Sequence, residues 1–277
     1  MRSEYTGEAK GIDAPNRALL DQLARSASGP FTPDQAAKLL TFDVERARKL
    51  LAYLASRGWL SRIRSGLYTT IPLGATAPKL WREDPWIVAA TSFAPCYIAG
   101  WSAAEHWQLT EQIFRDVVVT TAAPVRTASL KIQDTPFRLR HRNEREHFGL
   151  ATAWRNQTRV RVSDPTRTLI DLLDDPAIGG GIRHIAEMLE NYFQSEHRND
   201  AKIIEYADRL GNRTTLKRLG YLLETLEIDA PTLLAECRKR VSAGLAKLDP
   251  TILSLGRIVK RWGLRVNVSV QPKGGDS

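Results

Sequence analysis

The chain has 277 residues, 43% hydrophobic and 26% charged, a composition that fits a folded protein and excludes disordered, collagen-like and mucin-like chains. Forty Lys and Arg against 31 Asp and Glu leave a net charge of +9, which favours polyanionic partners. The length predicts two domains.

Arginine supplies 29 of the 40 basic residues. Its planar fork suits phosphate and guanine, although GC-rich coding accounts for the same ratio equally well. The two cysteines, Cys96 and Cys237, lie far apart, so we expect no disulfide framework and a cytoplasmic setting. The first eleven residues carry no apolar leader. Positions 86–104 are uncharged over about a membrane span, yet they include Thr91, Ser92, Pro95, Gly100 and Ser102. They read as helix, short strand and new helix start, and no membrane partner is expected.

In chain order, residues 1–15 read as a polar, flexible arm. A winged helix-turn-helix domain follows over 16–72. Its first helix runs from about Asn16 to Ala27. Thr32, Pro33 and Gln35 open a second helix as N-cap, first-turn proline and capping-box partner, ending at Leu40. Asp43 caps a third helix from Val44 to about Arg57, with Val44, Ala47, Leu50, Leu51 and Leu54 on one face. A hairpin then pairs 59–63 with 67–71 across Arg64-Ser65-Gly66. Three helices and a two-stranded ribbon outline the winged fold.

Residues 73–80 read as a linker bracketed by Pro72 and Pro78. The second domain, 81–277, opens with a helix at Asp84-Pro85 and a strand at 96–99. Ser102 with Glu105 reads as a capping box. Strands are expected at 115–121, 130–132, 137–141, 151–154 and 159–162. A helix begins at Asp164-Pro165, Gly179-Gly180-Gly181 breaks the chain, 182–248 is helical in segments, and 266–270 is a terminal strand. Strands first and helices later predict an α+β domain.

The third helix and the wing carry the clearest chemistry. Residues 43–66 hold six basic and two acidic side chains. Arg46, Arg48, Lys49, Tyr53 and Arg57 fall largely off the apolar face of the helix. Arg62 and Arg64 lie in the wing, where a ribbon tip contacts phosphates or the minor groove. These seven residues are the candidate contacts to double-stranded DNA. A second cluster, Arg138, Arg140 and Arg142, alternates along one strand, so all three share a face. That face reads as outward, either a partner surface or ordinary solvated sheet, with Phe137 and Leu139 inward.

Enzyme signatures are sparse. There is no Walker phosphate loop and no dinucleotide-binding glycine fingerprint. His106, His141, His147, His184 and His197 never fall at zinc-ligand spacing, so neither metal nor cofactor is expected. Asp171, Asp174 and Asp175 read as surface charge at a helix end more readily than as metal ligands. The acidic pair and Glu-x-Lys of a DNA-targeted nuclease are not found.

At Gly58-Trp59-Leu60-Ser61-Arg62-Ile63-Arg64-Ser65-Gly66-Leu67-Tyr68 the chain resembles the AbiEi family of antitoxins and transcriptional regulators from type IV toxin–antitoxin systems. Asp84-Pro85-Trp86-Ile87-Val88-Ala89, Tyr97-Ile98-Ala99-Gly100-Trp101-Ser102-Ala103 and Leu109-Thr110-Glu111-Gln112 extend the resemblance. So do Val162-Ser163-Asp164-Pro165-Thr166-Arg167-Thr168-Leu169-Ile170-Asp171 and Lys217-Arg218-Leu219-Gly220-Tyr221-Leu222-Leu223. The resemblance implies a winged helix that represses its own promoter at inverted repeats. It also implies a C-terminal domain that counters a co-encoded nucleotidyltransferase toxin, with or without direct contact. No nucleotidyltransferase motif occurs here, so the chain resembles the non-catalytic regulator. The alternatives are a regulator whose second domain senses a ligand and a DNA-targeted nuclease.

Overall fold

The computed structural model describes residues 11–27, 29–72, 74–75, 77 and 80–272. The chain falls into two compact units. The smaller comprises the chain up to Ala94 together with two later hairpin tips, Leu130–Phe137 and Ala153–Val160. The larger comprises Pro95–Ser129, Arg138–Thr152 and the chain from Arg161 onward. Helices and mixed sheets together make the fold α+β, as expected. No helix among the described residues is long and apolar enough to cross a membrane.

The smaller unit holds α1 (Ala14–Ser26), α2 (Pro33–Leu40), α3 (Val44–Ser56), β1 (Leu60–Arg64), β2 (Leu67–Thr70) and α4 (Pro85–Ser92). Of the expected arm, residues 1–10 lie outside the described residues, and Ala14 already begins α1. The start of α2 forms as the sequence dictates. Gln35 N–H donates to Thr32 Oγ1 at 3.3 Å, and Thr32 N–H donates to Gln35 Oε1 at 2.8 Å. Leu23, Ala36, Leu40, Ala47, Leu51, Leu54 and Leu60 close one core. Phe31 adds a third strand position to the wing through paired backbone bonds with Tyr68 of 2.8 and 3.0 Å.

Compactness does not divide the chain at 73–80. Leu73, Thr76, Pro78 and Lys79 lie outside the described residues, but residues 81–94 gather with the winged helix. Buried Glu83 accepts a hydrogen bond from Thr69 Oγ1 at 2.7 Å. Its N–H donates to Gln133 Oε1 at 3.1 Å, and Gln133 Nε2 donates to Ser61 Oγ at 2.8 Å. The wing is therefore tied to the turn of a hairpin 72 residues further along the chain. The second tip packs similarly: Arg155 lies over the Trp86 ring at 4.3 Å. A Cβ at Gly29 would stand 2.9 Å from Thr158 Oγ1.

The larger unit holds β3 (Cys96–Ile98), α5 (Gly100–His106) and β4 (Val117–Thr121), while β5 (Ser129–Ile132) lies in the smaller unit but for Ser129, and β6 (Thr135–His141), β7 (Leu150–Arg155) and β8 (Thr158–Ser163) each divide between the two. These strands form a six-stranded sheet of order β5-β6-β4-β3-β8-β7, with β3 antiparallel to β4 and parallel to β8. Then follow α6 (Pro165–Asp174), α7 (Ile182–Gln194), α8 (Asp200–Leu210), α9 (Arg213–Thr225) and α10 (Pro231–Lys239). The small strands β9 (Ala246–Lys247), β10 (Arg257–Val259) and β11 (Leu264–Val266) form a second sheet of order β10-β11-β9. The expected strand at 266–270 thus ends at Val266, and β9 interrupts the stretch read as helical.

One further expectation changes. The Ser102–Glu105 capping box is absent, because α5 already starts at Gly100 without a side-chain cap. Ser102 instead ties the helix to β4: its hydroxyl donates to Asp116 O at 3.3 Å and accepts from Val118 N–H at 3.1 Å. In α9, Gly220 is the contact point for Trp262, whose ring would lie 2.1 Å from an added Cβ. The Trp262 indole N–H then reaches Glu224 at 2.8 Å on the same helix.

Candidate nucleic-acid interface

Helices α2 and α3 are joined through Thr41, whose φ of 57° makes the left-handed turn that ends α2. Asp43 then caps α3, accepting from Arg46 N–H at 2.8 Å. Ala47, Leu51 and Leu54 bury one face of α3, which leaves Glu45, Arg46, Arg48, Lys49 and Ala52 exposed on the other. The inward face fixes the helix and the outward face is cationic, which is the arrangement a recognition helix needs.

The expected contacts differ in how they are held. The Arg46 guanidinium stacks 3.9 Å over the Phe42 ring, so its direction is set by the turn. Lys49 pairs with Glu45 at 2.7 Å, an exposed i,i+4 pair that DNA phosphate can displace. Arg48 is exposed and has no ion pair among the described residues. Tyr53 and Arg57 are half-buried and lean on each other at 5.5 Å, set back from the exposed flank. In the wing, Arg62 and Arg64 are both exposed, with an irregularity in the β1–β2 register between them. Arg62 reaches Ser65 Oγ at 3.3 Å, whereas Arg64 turns to Ser92 O at 3.4 Å, at the end of α4.

Sequence reading missed two cations of the same unit. Arg82 and Lys131 both meet Asp134, at 3.2 and 3.3 Å, beside Arg62 and Ser61 of the wing. Hydrogen bonds from Arg82 and Lys131 hold the Asp134 carboxyl below the usual carboxylate range. Lys131 flanks the tight turn at Gln133 and Asp134, both at positive φ, and that hairpin signal was legible. Its meeting with the wing was not.

The expected outward surface at Arg138, Arg140 and Arg142 needs correction. The three arginines do share a strand face, but that face meets the acidic end of α6. Arg138 is half-exposed, 4.9 Å from the Trp101 ring and 2.9 Å from Asp116. Arg140 and Arg142 both bond to Asp174, and Arg140 also meets Asp171 and Asp175 at 3.5 Å. Burial alone would lower the Arg140 guanidinium, but those carboxylates outweigh it and hold it above its ordinary range. Asp171, fully buried, also takes Arg167 at 3.1 Å and the Tyr97 hydroxyl at 3.0 Å. The α6 carboxylates are therefore neither surface charge nor free metal ligands. Alternation gave the shared face correctly. It could not give which face the helices cover.

The smaller unit thus defines a winged helix-turn-helix with a cationic outer face on α3. Residues 18–71 match the family described as "Transcriptional regulator, AbiEi antitoxin", which places the recognised resemblance on the winged helix. A search of curated proteins returns no match. Among solved structures, the crystal structure of the RV2827C protein from Mycobacterium tuberculosis is similar at a TM-score of 0.63 and 18% identity, covering 94% of each chain. That likeness shows a shared fold over nearly the whole chain.

Proposed function

We propose that the protein is a DNA-binding antitoxin of a toxin–antitoxin operon, a non-catalytic cytoplasmic regulator that represses its own promoter at inverted repeats. The larger unit then counters a co-encoded nucleotidyltransferase toxin. The family match to residues 18–71 supports the regulator and antitoxin class. The observation that carries the DNA reading is the outer face of α3, where Arg46, Arg48 and Lys49 stand exposed while Ala47, Leu51 and Leu54 are buried. Arg62 and Arg64 of the wing supply phosphate contacts. Asp171 and Asp174, weighed in the sequence as metal ligands, are held by arginines.

Titration of promoter and scrambled DNA tests this reading. Binding should fall steeply with salt, because phosphate contacts release counterions. Arg48→Ala should cost about 1–3 kcal/mol on promoter DNA if the side chain reads a base. Equal binding of promoter and scrambled DNA by the wild type refutes specific repression. Co-expression with the neighbouring gene product, scored by growth, tests the antitoxin role.

A further inference from the structure

Beside the wing, the smaller unit contains an open cavity of about 500 Å³. Its volume falls within the roughly 300–1,000 Å³ of small-ligand sites. Leu60, Ile63 and Ile71 supply apolar wall, and the polar lining is Ser61, Arg62, Arg82, Lys131, Gln133 and Asp134. Three cations face one carboxylate. Arg82 and Lys131 already share Asp134, which leaves a net excess of positive charge around the opening. The hydrogen bonds of Gln133 to Ser61 and to the Glu83 amide hold the cavity's two sides together.

We infer that this cavity is a phosphate-binding site. A phosphate group carries about −1.5 to −2 when terminal and presents several strong acceptor oxygens. It matches the guanidinium forks of Arg62 and Arg82 better than a single carboxylate does. Asp134 is 72% exposed on its side chain and sits on a turn, so it can swing away and be replaced by the incoming oxygens. The phosphate comes from the DNA backbone or from a free phosphorylated molecule. In the first case the inference rests on the DNA-binding reading and extends its footprint past the wing. In the second it stands alone, and an occupant in contact with Arg62 would compete with DNA.

The test uses the full chain, inorganic pyrophosphate as the free probe, and promoter DNA. Pyrophosphate is titrated calorimetrically into wild type, into an Arg82→Ala/Lys131→Ala double variant, and into Asp134→Asn. The substituted side chains are 40%, 63% and 72% exposed, so folding should persist. Asp134→Asn acts in the opposite direction and guards against a trivial loss. A free-phosphate site predicts that the double variant loses pyrophosphate affinity about tenfold or more, that Asp134→Asn gains it, and that DNA binding is kept. A backbone-phosphate site predicts a double variant weakened on every DNA sequence, with a salt slope flatter by about two. The inference is overturned if the double variant matches wild type in pyrophosphate affinity, DNA affinity and salt slope. Arg48→Ala, titrated in parallel, separates the two readings: full DNA affinity there counts against the recognition helix and leaves the cavity to the pyrophosphate titration.

Discussion

Replacing Asp174 by Ala should destabilise the larger unit more than any change to the arginines around it. Asp174 ends α6 with its side chain 3% exposed, where it holds Arg140, Arg142 and the Asn212 amide, the last at 2.6 Å. Its loss leaves Arg140, 12% exposed, with only the 3.5 Å contacts to Asp171 and Asp175. Arg142, 24% exposed, keeps Glu146 at 3.2 Å. Removing one partner of a buried pair costs about 3–5 kcal/mol, because the remaining charge stays desolvated. That is a large part of the roughly 5–15 kcal/mol that holds a folded domain. Arg140→Ala should cost less, since Arg167 still serves Asp171 and Arg142 still serves Asp174. Arg138→Ala, which breaks a half-exposed pair, should cost about 0–1 kcal/mol. In urea, followed by circular dichroism, the Asp174→Ala midpoint should drop by about 1–2 M at an unchanged slope. A midpoint within error of wild type, or Arg138→Ala costing more than Asp174→Ala, refutes the reasoning.

Gly220→Ala should lower stability by about 1–3 kcal/mol through overpacking, because the new methyl group collides with the Trp262 ring; a thermal midpoint equal to wild type counts against the contact. Burial first, and the Arg167 charge after it, push the His147 imidazole below its ordinary range, so the unfolded chain binds its proton more readily. This contribution is present above pH about 6.5 and lost progressively as pH falls below it towards the lowered folded-state value, so urea midpoints should be lower at pH 5.5 than at pH 8. His147→Gln should flatten that dependence, and an unchanged slope would refute it. Burial pushes the Cys237 thiol up to about 12, leaving about one thiolate in ten thousand at pH 8. A thiol-specific reagent should label Cys237 only after unfolding; rapid labelling of Cys237 itself in the native chain, mapped by mass spectrometry apart from the half-buried Cys96, contradicts its placement.

What was legible in the sequence is what neighbouring residues decide. The Thr32–Gln35 box, the Asp43 cap and the Ala47–Leu51–Leu54 stripe each act within one or two turns, and α2 and α3 formed within about a residue of their expected ends. The short strands β9 and β10 were illegible for the opposite reason. They hold two and three residues and exist only because β11 lies beside them. Arg138, Arg140 and Arg142 show the boundary most clearly. A period of two fixed which residues share a face, but Asp171 and Asp174, some 30 residues later, decide whether that face is inside.

The wing follows the same logic and bears on function. Small residues between Pro72 and Pro78 mark 73–80 as a place where chain contacts should be few. Yet Ser61 and Thr69 of the wing spend their hydroxyls on Gln133 and Glu83, both beyond that stretch. Each bond is worth about 1 kcal/mol, and burial at Glu83 makes its loss dearer than its gain. The strand that carries Arg62 is therefore braced by residues outside the segment that matches the regulator family. A winged helix held in this way cannot be understood from residues 18–71 alone, because the strand that aims its arginine is braced by a hairpin of the later chain.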